Sequence, residues 1–125
     1  ECILMPLKWD LLFAKITEGD YDVVCLGWEA WVNDPMYTLS VFKESKEPLN
    51  FPKWENKKYQ EILDLAENEV DPQKRENFYL EAETILLEAV PISPICSSKR
   101  LALKKRALKV KYFGGLPSFK WADFV

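Results

Sequence analysis

Seven consecutive residues bring together two tryptophans, two carboxylates and an amide: Trp28, Glu29, Trp31, Asn33 and Asp34. A set of this kind performs no bond chemistry unaided. Flat aromatic faces with a few orienting polar groups are what line a non-covalent site for a small solute. Trp28 reads either as a core residue capping the end of an apolar run or as a wall packed on a ligand. Asn33 can order the loop or donate to a ligand carbonyl. Asp34 directly precedes Pro35, a pairing suited to a helix N-cap and first helical position.

Bond-making chemistry finds little support elsewhere. The chain contains no histidine, which removes the usual general base, the Ser-His and Cys-His nucleophile pairs and the commonest metal ligand. Ser40, Ser93, Ser97 and Ser98 lack a GxSxG-type setting. Glu76, Glu81, Glu83 and Glu88 fall on a predicted helix as a solvated face, with no carboxylate pair singled out for acid–base work. No catalytic residue, cofactor or metal site is expected, and the chain does not read as an enzyme. Cys2, Cys25 and Cys96 make an odd count without CxxC spacing, so no zinc or redox motif is encoded. Cys25 and Cys96 lie in apolar runs, VVCLG and ISPIC. Buried free thiols are the expectation there, and a cross-strand disulfide is the alternative.

These residues must be carried by elements that the periodicity outlines. Ile3 to Leu7 reads as a short strand. Trp9/Phe13 and Leu12/Ile16 stand at i,i+4, so a helix follows, and Gly19 is placed to end it in a left-handed cap. Tyr21 to Gly27 is nearly all apolar, the pattern of a strand covered on both faces. After the aromatic loop, Asp34-Pro35 opens a helix expected to run through Met36, Leu39 and Phe42. Residues 43–56 form a long surface loop. Tyr59, Ile62, Leu63 and Ala66 mark an amphipathic helix ending near Val70. Asp71-Pro72 starts a longer one on the stripe Phe78, Ala82, Ile85, Leu86 and Ala89, up to Pro91. Ile92 to Cys96 reads as an edge strand or a bulged one because of Pro94. Gly114-Gly115 breaks the last segment and leaves Phe119–Val125 as a tail. The order predicts an α/β layer with a partly parallel sheet and a right-handed first crossover. Ligands of such sheets bind beyond the carboxyl ends of the strands, which points at Trp28 to Asp34.

At 125 residues the chain suits one domain, and at 48% hydrophobic it is too apolar for a disordered segment. No apolar run approaches the ~20 residues of a membrane-spanning helix. The chain opens without an initiator Met or a signal peptide, and so reads as part of a longer protein. The net charge of -3 conceals an asymmetry: residues 1–96 hold nine Lys/Arg against 19 Asp/Glu, while residues 97–125 hold eight Lys/Arg against Asp123. A basic tail can touch nucleic acid or anionic lipid. Its alternation with Leu101, Leu103, Leu108, Val110 and Tyr112 reads instead as a half-buried strand.

The stretch Gly19-Asp20-Tyr21-Asp22-Val23 to Gly27-Trp28, followed by Asn33-Asp34-Pro35, resembles a signature of the oligopeptide-binding family of ABC-transporter solute-binding proteins, solute-binding family 5. Asn50 to Leu63 (NFPKWENKKYQEIL) is similar to the family's loop-plus-helix pattern. Asp71 to Pro91 looks like its D-x-x-x-R-x-x-x-Y-x-x-A-E-x-x-L helix. The resemblance covers residues 3–96. It implies an α/β fold: part of one lobe in a two-lobed clamp of the type II periplasmic-binding-protein kind, with a mixed sheet flanked by helices. Residues 1–97 would be the partial C-terminal lobe, and 98–125 the return toward the N-terminal lobe. It also implies an extracytoplasmic, monomeric, lipid-anchored parent that binds oligopeptides or related solutes and passes them to a membrane permease. The implied ligand-binding residues are Trp28, Glu29, Trp31, Asn33 and Asp34. One departure stands out. Where the family commonly places an aspartate that pairs with the peptide amine, this chain has Trp31, which leaves Glu29 and Asp34 as the nearest carboxylates. The other readings are an α/β portion of a larger enzyme and a nucleic-acid-binding module built on the basic segment, although the acidic body would repel phosphate.

Overall fold

A computed structural model describes residues 3–97, 103–113 and 116–124. Helix α1 (Trp9–Glu18) ends at Gly19, whose φ of 76° and bonds to the Ile16 and Lys15 carbonyls form the left-handed cap that the sequence signals. Helix α2 (Pro35–Leu39) is one short turn and a half, extended by a 3-10 turn over Ser40–Phe42, so the expected helix reaches Phe42 but tightens midway. Helix α3 (Lys57–Asn68) is capped by Asn56, whose side chain accepts from the Tyr59 amide at 3.1 Å. Helix α4 (Pro72–Ala89) is capped by Asp71, which accepts from the amides of Gln73 and Lys74. Both caps satisfy amides that a helix start leaves without an internal partner.

The three last helices close one core. Leu39, Tyr59, Ile62, Leu63, Ala66, Tyr79, Ala82 and Leu86 are buried together, with Met36, Phe42, Trp54, Phe78, Ile85 and Ile92 packed around them. The stripe expected on α4 is met at Ala82 and Leu86, whereas Ala89 is exposed and Tyr79, absent from that stripe, is buried. Tyr59 puts a hydroxyl into this core and donates it to the Leu39 carbonyl at 2.7 Å, so the end of α2 is tied to α3. Burial pushes the Tyr59 phenol well above its ordinary pKa. The loop of residues 43–56 is ordered from inside by Asn50, which is 1% exposed. Its amide donates to the carbonyls of Glu44 (2.9 Å) and Trp54 (2.8 Å) and accepts from the Trp54 amide (3.3 Å). Lys43 pairs with Asp64 on α3 at 2.6 Å, and Gln60 donates to the Lys43 carbonyl, so the loop is clamped to that helix at its start.

The sheet differs from expectation. Strands β1 (Leu108–Phe113) and β2 (Leu116–Phe124) form a two-stranded antiparallel hairpin in which Leu108 faces Phe124 and Phe113 faces Leu116, with a register irregularity between Lys109 and Lys111. Of the basic alternation, Leu108, Val110 and Tyr112 lie on a strand as expected, whereas Leu103 precedes it and is fully exposed, and Leu101 lies outside the described residues. Phe119 to Phe124 is not a separate tail but continues β2, and Val125 lies outside the described residues. Gly114-Gly115, where the sequence reads as a break, lies outside the described residues.

The strands expected over Ile3–Leu7, Tyr21–Gly27 and Ile92–Cys96 do not form among the described residues, and neither does the partly parallel mixed sheet or its right-handed crossover. The physical reason is partnership. An apolar run shows that a segment needs cover on its faces, and a ladder also needs a neighbouring chain for every amide. The described residues supply neither to the run at 21–27, where Val23 is 90% exposed. Cys25 and Cys96 are for the same reason exposed free thiols rather than buried ones, and no disulfide joins them. Cys2 lies outside the described residues.

Candidate functional site

The aromatic loop sits between the unpaired run at 21–27 and α2. Trp28 is 47% exposed and is held in one orientation by two contacts on α2. Its indole Nε1 donates to Thr38 Oγ1 at 3.2 Å, and its ring lies 6.4 Å from that of Tyr37 at an angle of 41°. The polar edge of the indole is thus satisfied on α2 while much of its surface stays open to solvent. That excludes Trp28 as a core residue of the described structure. Trp31 is 83% exposed and Val32 is also exposed, so this stretch of loop turns large apolar surface outward. Glu29 and Asn33 are exposed beside them.

Asp34 is the member of the expected set whose carboxylate is engaged within the protein. Its Oδ1 accepts from the Met36 amide at 2.9 Å, the N-cap contact of α2. The same oxygen accepts from the Tyr79 hydroxyl at 3.1 Å, and Oδ2 accepts from Arg75 Nη2 at 2.7 Å. Arg75 Nε in turn donates to the Tyr79 hydroxyl at 2.6 Å, and the guanidinium carbon lies 5.3 Å from the Tyr79 ring centroid. The Met36 amide is the main influence holding the Asp34 carboxyl below the usual aspartate range; the Tyr79 hydroxyl and Arg75 add to it, against desolvation. Arg75 is held more firmly protonated by the Tyr79 hydroxyl and Asp34, and burial raises the Tyr79 phenol. A carboxylate this fully engaged is structural.

Arg75, Tyr79, Tyr37 and Thr38 are the site residues that reading the loop alone misses. Arg75 and Tyr79 do have a signal: they stand at i,i+4 on α4, the spacing that puts two side chains on one helix face. Nothing local links them to Asp34, more than 40 residues earlier. Two concave regions, of about 250 and 520 Å³, border the loop of residues 43–56 instead; the smaller is lined by Ile16, Asn50 and Phe51, the larger by Val41, Lys43 and Leu49. Neither includes Trp28 or Trp31, and both indoles are open to solvent, so the aromatic surface is an exposed wall. Among the described residues no group of His, Cys, Asp or Glu is arranged to hold a metal ion, and no helix is long and apolar enough to cross a membrane.

Comparison with known proteins places this wall in context. The chain is 30% identical over 88 residues to the oligopeptide-binding protein of Bacillus subtilis, covering 70% of this chain and 16% of that one. It is 29% identical over 122 residues to a probable deoxycholate-binding periplasmic protein of Escherichia coli, covering 98% of this chain and 22% of that one. A dipeptide-binding protein of Bacillus subtilis is 30% identical over 92 residues, 72% of this chain and 17% of the relative. The chain thus spans about a fifth or less of the length of the curated relatives it matches, and those relatives bear the names of binding proteins rather than enzymes. No family model matches the chain.

Proposed function

Since this chain belongs by sequence to the oligopeptide-binding family of solute-binding proteins, we propose that it supplies one wall of a solute cleft in the binding component of an ABC importer. Trp28, Trp31 and Asn33 face the solute, and Asp34 fixes the loop they stand on. The observation that carries this reading is Trp28. Its donor is satisfied on Thr38 and its ring leans on Tyr37, so a large aromatic surface is oriented before any ligand arrives. Such preorganisation lowers the ordering cost of binding. The exposed run at 21–27 and the open form of the wall agree with a two-lobed clamp, in which a second lobe and further strands complete the site. The protein then works outside the cytoplasmic membrane and hands its solute to a permease, with no chemistry on it.

Short peptides are the first solute class, from the names of the relatives. The relative covering nearly the whole chain is named for deoxycholate, and a wall carrying Trp28, Trp31 and Val32 also suits a bulky amphiphile. Calorimetry on the protein extended to family length, titrated with a short-peptide pool and with deoxycholate, separates the two. Trp28→Ala should weaken binding of the preferred solute while leaving the unfolding temperature nearly unchanged. Unaltered affinity in that variant would remove the aromatic wall from the site.

A further inference from the structure

The junction between Asp34, Arg75 and Tyr79 joins the end of the aromatic loop to a helix more than 40 residues away in sequence. Its hydrogen bonds form a closed set. The Tyr79 hydroxyl accepts from Arg75 Nε and donates to Asp34 Oδ1, while Arg75 Nη2 bonds the other carboxylate oxygen. Two neighbouring nitrogens of one planar group therefore serve two different partners, which demands a guanidinium and not merely a positive charge.

The junction also has a defined place on α2. That helix is only five residues long, so what holds its two ends decides its direction. At its C-terminal end Leu39 is buried and its carbonyl accepts from the Tyr59 hydroxyl. At its N-terminal end the polar tether is Asp34. Between them stand Tyr37 and Thr38, the two residues on which Trp28 rests.

We propose that Arg75 and Tyr79 are positioning residues for the aromatic loop: through Asp34 they set the direction of α2, and α2 sets the direction in which Trp28 presents its ring. The inference rests on the reading of that loop as a binding wall, yet its test needs no ligand. A failure of the positioning role is thereby distinct from a failure of the binding reading, which the Trp28→Ala titration decides.

Two of the chain's five tryptophans report separately on the loop and the core. Trp28 lies on the loop, and Trp54 packs edge-on against Tyr59 in the core at 5.0 Å between ring centroids. The indole N–H signals of both are followed by nitrogen-resolved NMR, with solvent exchange of each proton, in the wild type and in three variants. Asp34→Asn keeps a good N-cap residue and loses the carboxylate. Arg75→Lys keeps the charge and loses the fork. Tyr79→Phe keeps the buried ring and loses the bridging hydroxyl. The expected result is a shifted Trp28 signal whose proton exchanges about fivefold faster or more, the factor that losing roughly 1 kcal/mol of restraint produces, while Trp54 stays unchanged. The proposal is overturned if Trp28 is unmoved in folded variants, if Trp28 and Trp54 change together, or if all three variants lose their helices, since the junction would then serve the fold as a whole.

Discussion

Residues 35–92 and residues 3–33 have similar apolar content in their key runs and end in opposite states. In the first region Tyr59, Leu63, Ala66 and Ala82 are fully enclosed, and the polar groups that enter with them, the Asn50 amide and the Tyr59 hydroxyl, all find partners. In the second, Ile3, Leu4, Trp9, Val23, Trp28 and Trp31 stand exposed. The difference lies in what each kind of element requires. An α-helix satisfies its own backbone and needs cover on a single stripe, which two neighbouring helices can give each other. A strand covered on both faces needs flanking strands and two further layers. A short stretch of chain can close the first kind of region from its own residues and cannot close the second.

The sharpest way to break this comparison is to open the packed region. Tyr59→Ala removes a fully buried ring and the hydroxyl that ties α3 to Leu39. It should cost ~3–5 kcal/mol, the range for large aromatic truncations, and abolish cooperative loss of helix in urea unfolding followed by circular dichroism. A cost below ~1 kcal/mol would show that α2 to α4 do not form one core. Trp9→Ala in the exposed region should change stability by no more than ~0.5 kcal/mol.

Asn50→Ala comes next. It leaves two carbonyls and one amide of the loop without their partner, in a place closed to solvent, and a deleted buried hydrogen-bonding group typically costs about 1–3 kcal/mol. Because the affected contacts lie within the loop of residues 43–56, faster amide exchange there should exceed any change in α4. Uniform acceleration over α3 and α4 would instead make Asn50 part of the helical core itself.

The same contrast explains what the sequence made legible. All four helices, their starts at Asp34-Pro35 and Asp71-Pro72 and the cap at Gly19 follow from spacing within a few residues, which is the range over which helix physics acts. Tyr79 was missed as a core residue because its ring lies beside the expected stripe, and it is buried by the turn toward Asp34. The strand assignments over residues 3–7, 21–27 and 92–96 rest on apolar runs alone, which do not show whether a partner strand is at hand. Strand β2 is not legible because a Gly-Gly dipeptide in a sequence reads as a break as readily as it does as a hairpin signal. In the candidate site, Trp28 and Trp31 are singled out by their place in the sequence and by the family resemblance, whereas the engagement of Asp34 with Arg75 and Tyr79 depends on contacts more than 40 residues apart.

Acid sharpens the boundary between the two regions at Asp34. A carboxyl whose folded pKa lies below its unfolded value binds protons more readily when the chain unfolds. Its contribution to stability is therefore complete above the ordinary aspartate range and is lost as pH falls through the lowered folded value. Asp34→Asn should flatten this part of the acid unfolding profile while leaving stability at neutral pH only modestly reduced. An unchanged acid slope would mean that the engagement of Asp34 with the Met36 amide, Tyr79 and Arg75 is not maintained in solution.

The smallest effect on stability, and the most specific one on binding, belongs to Trp31. At 83% exposed it contributes little packing, so Trp31→Ala should leave the unfolding free energy within ~0.5 kcal/mol. Its importance lies in the departure from the family pattern, in which a carboxylate at this point of the loop pairs with the solute's α-amine. An indole offers no charge to an ammonium group, and an ammonium withdrawn from water without a partner is strongly disfavoured. Asp34 does not substitute for the missing carboxylate, because both of its oxygens already accept hydrogen bonds within the protein. Glu29 is the remaining carboxylate of the loop. The family-length protein should accordingly bind peptides with free and acetylated N-termini to within about twofold, a difference well below the tenfold that 1.4 kcal/mol represents. Trp31→Asp should create a preference for the free amine. If the wild type already prefers the free amine strongly, and Glu29→Gln abolishes that preference, the amine site has moved to Glu29 and Trp31 serves only as an apolar surface.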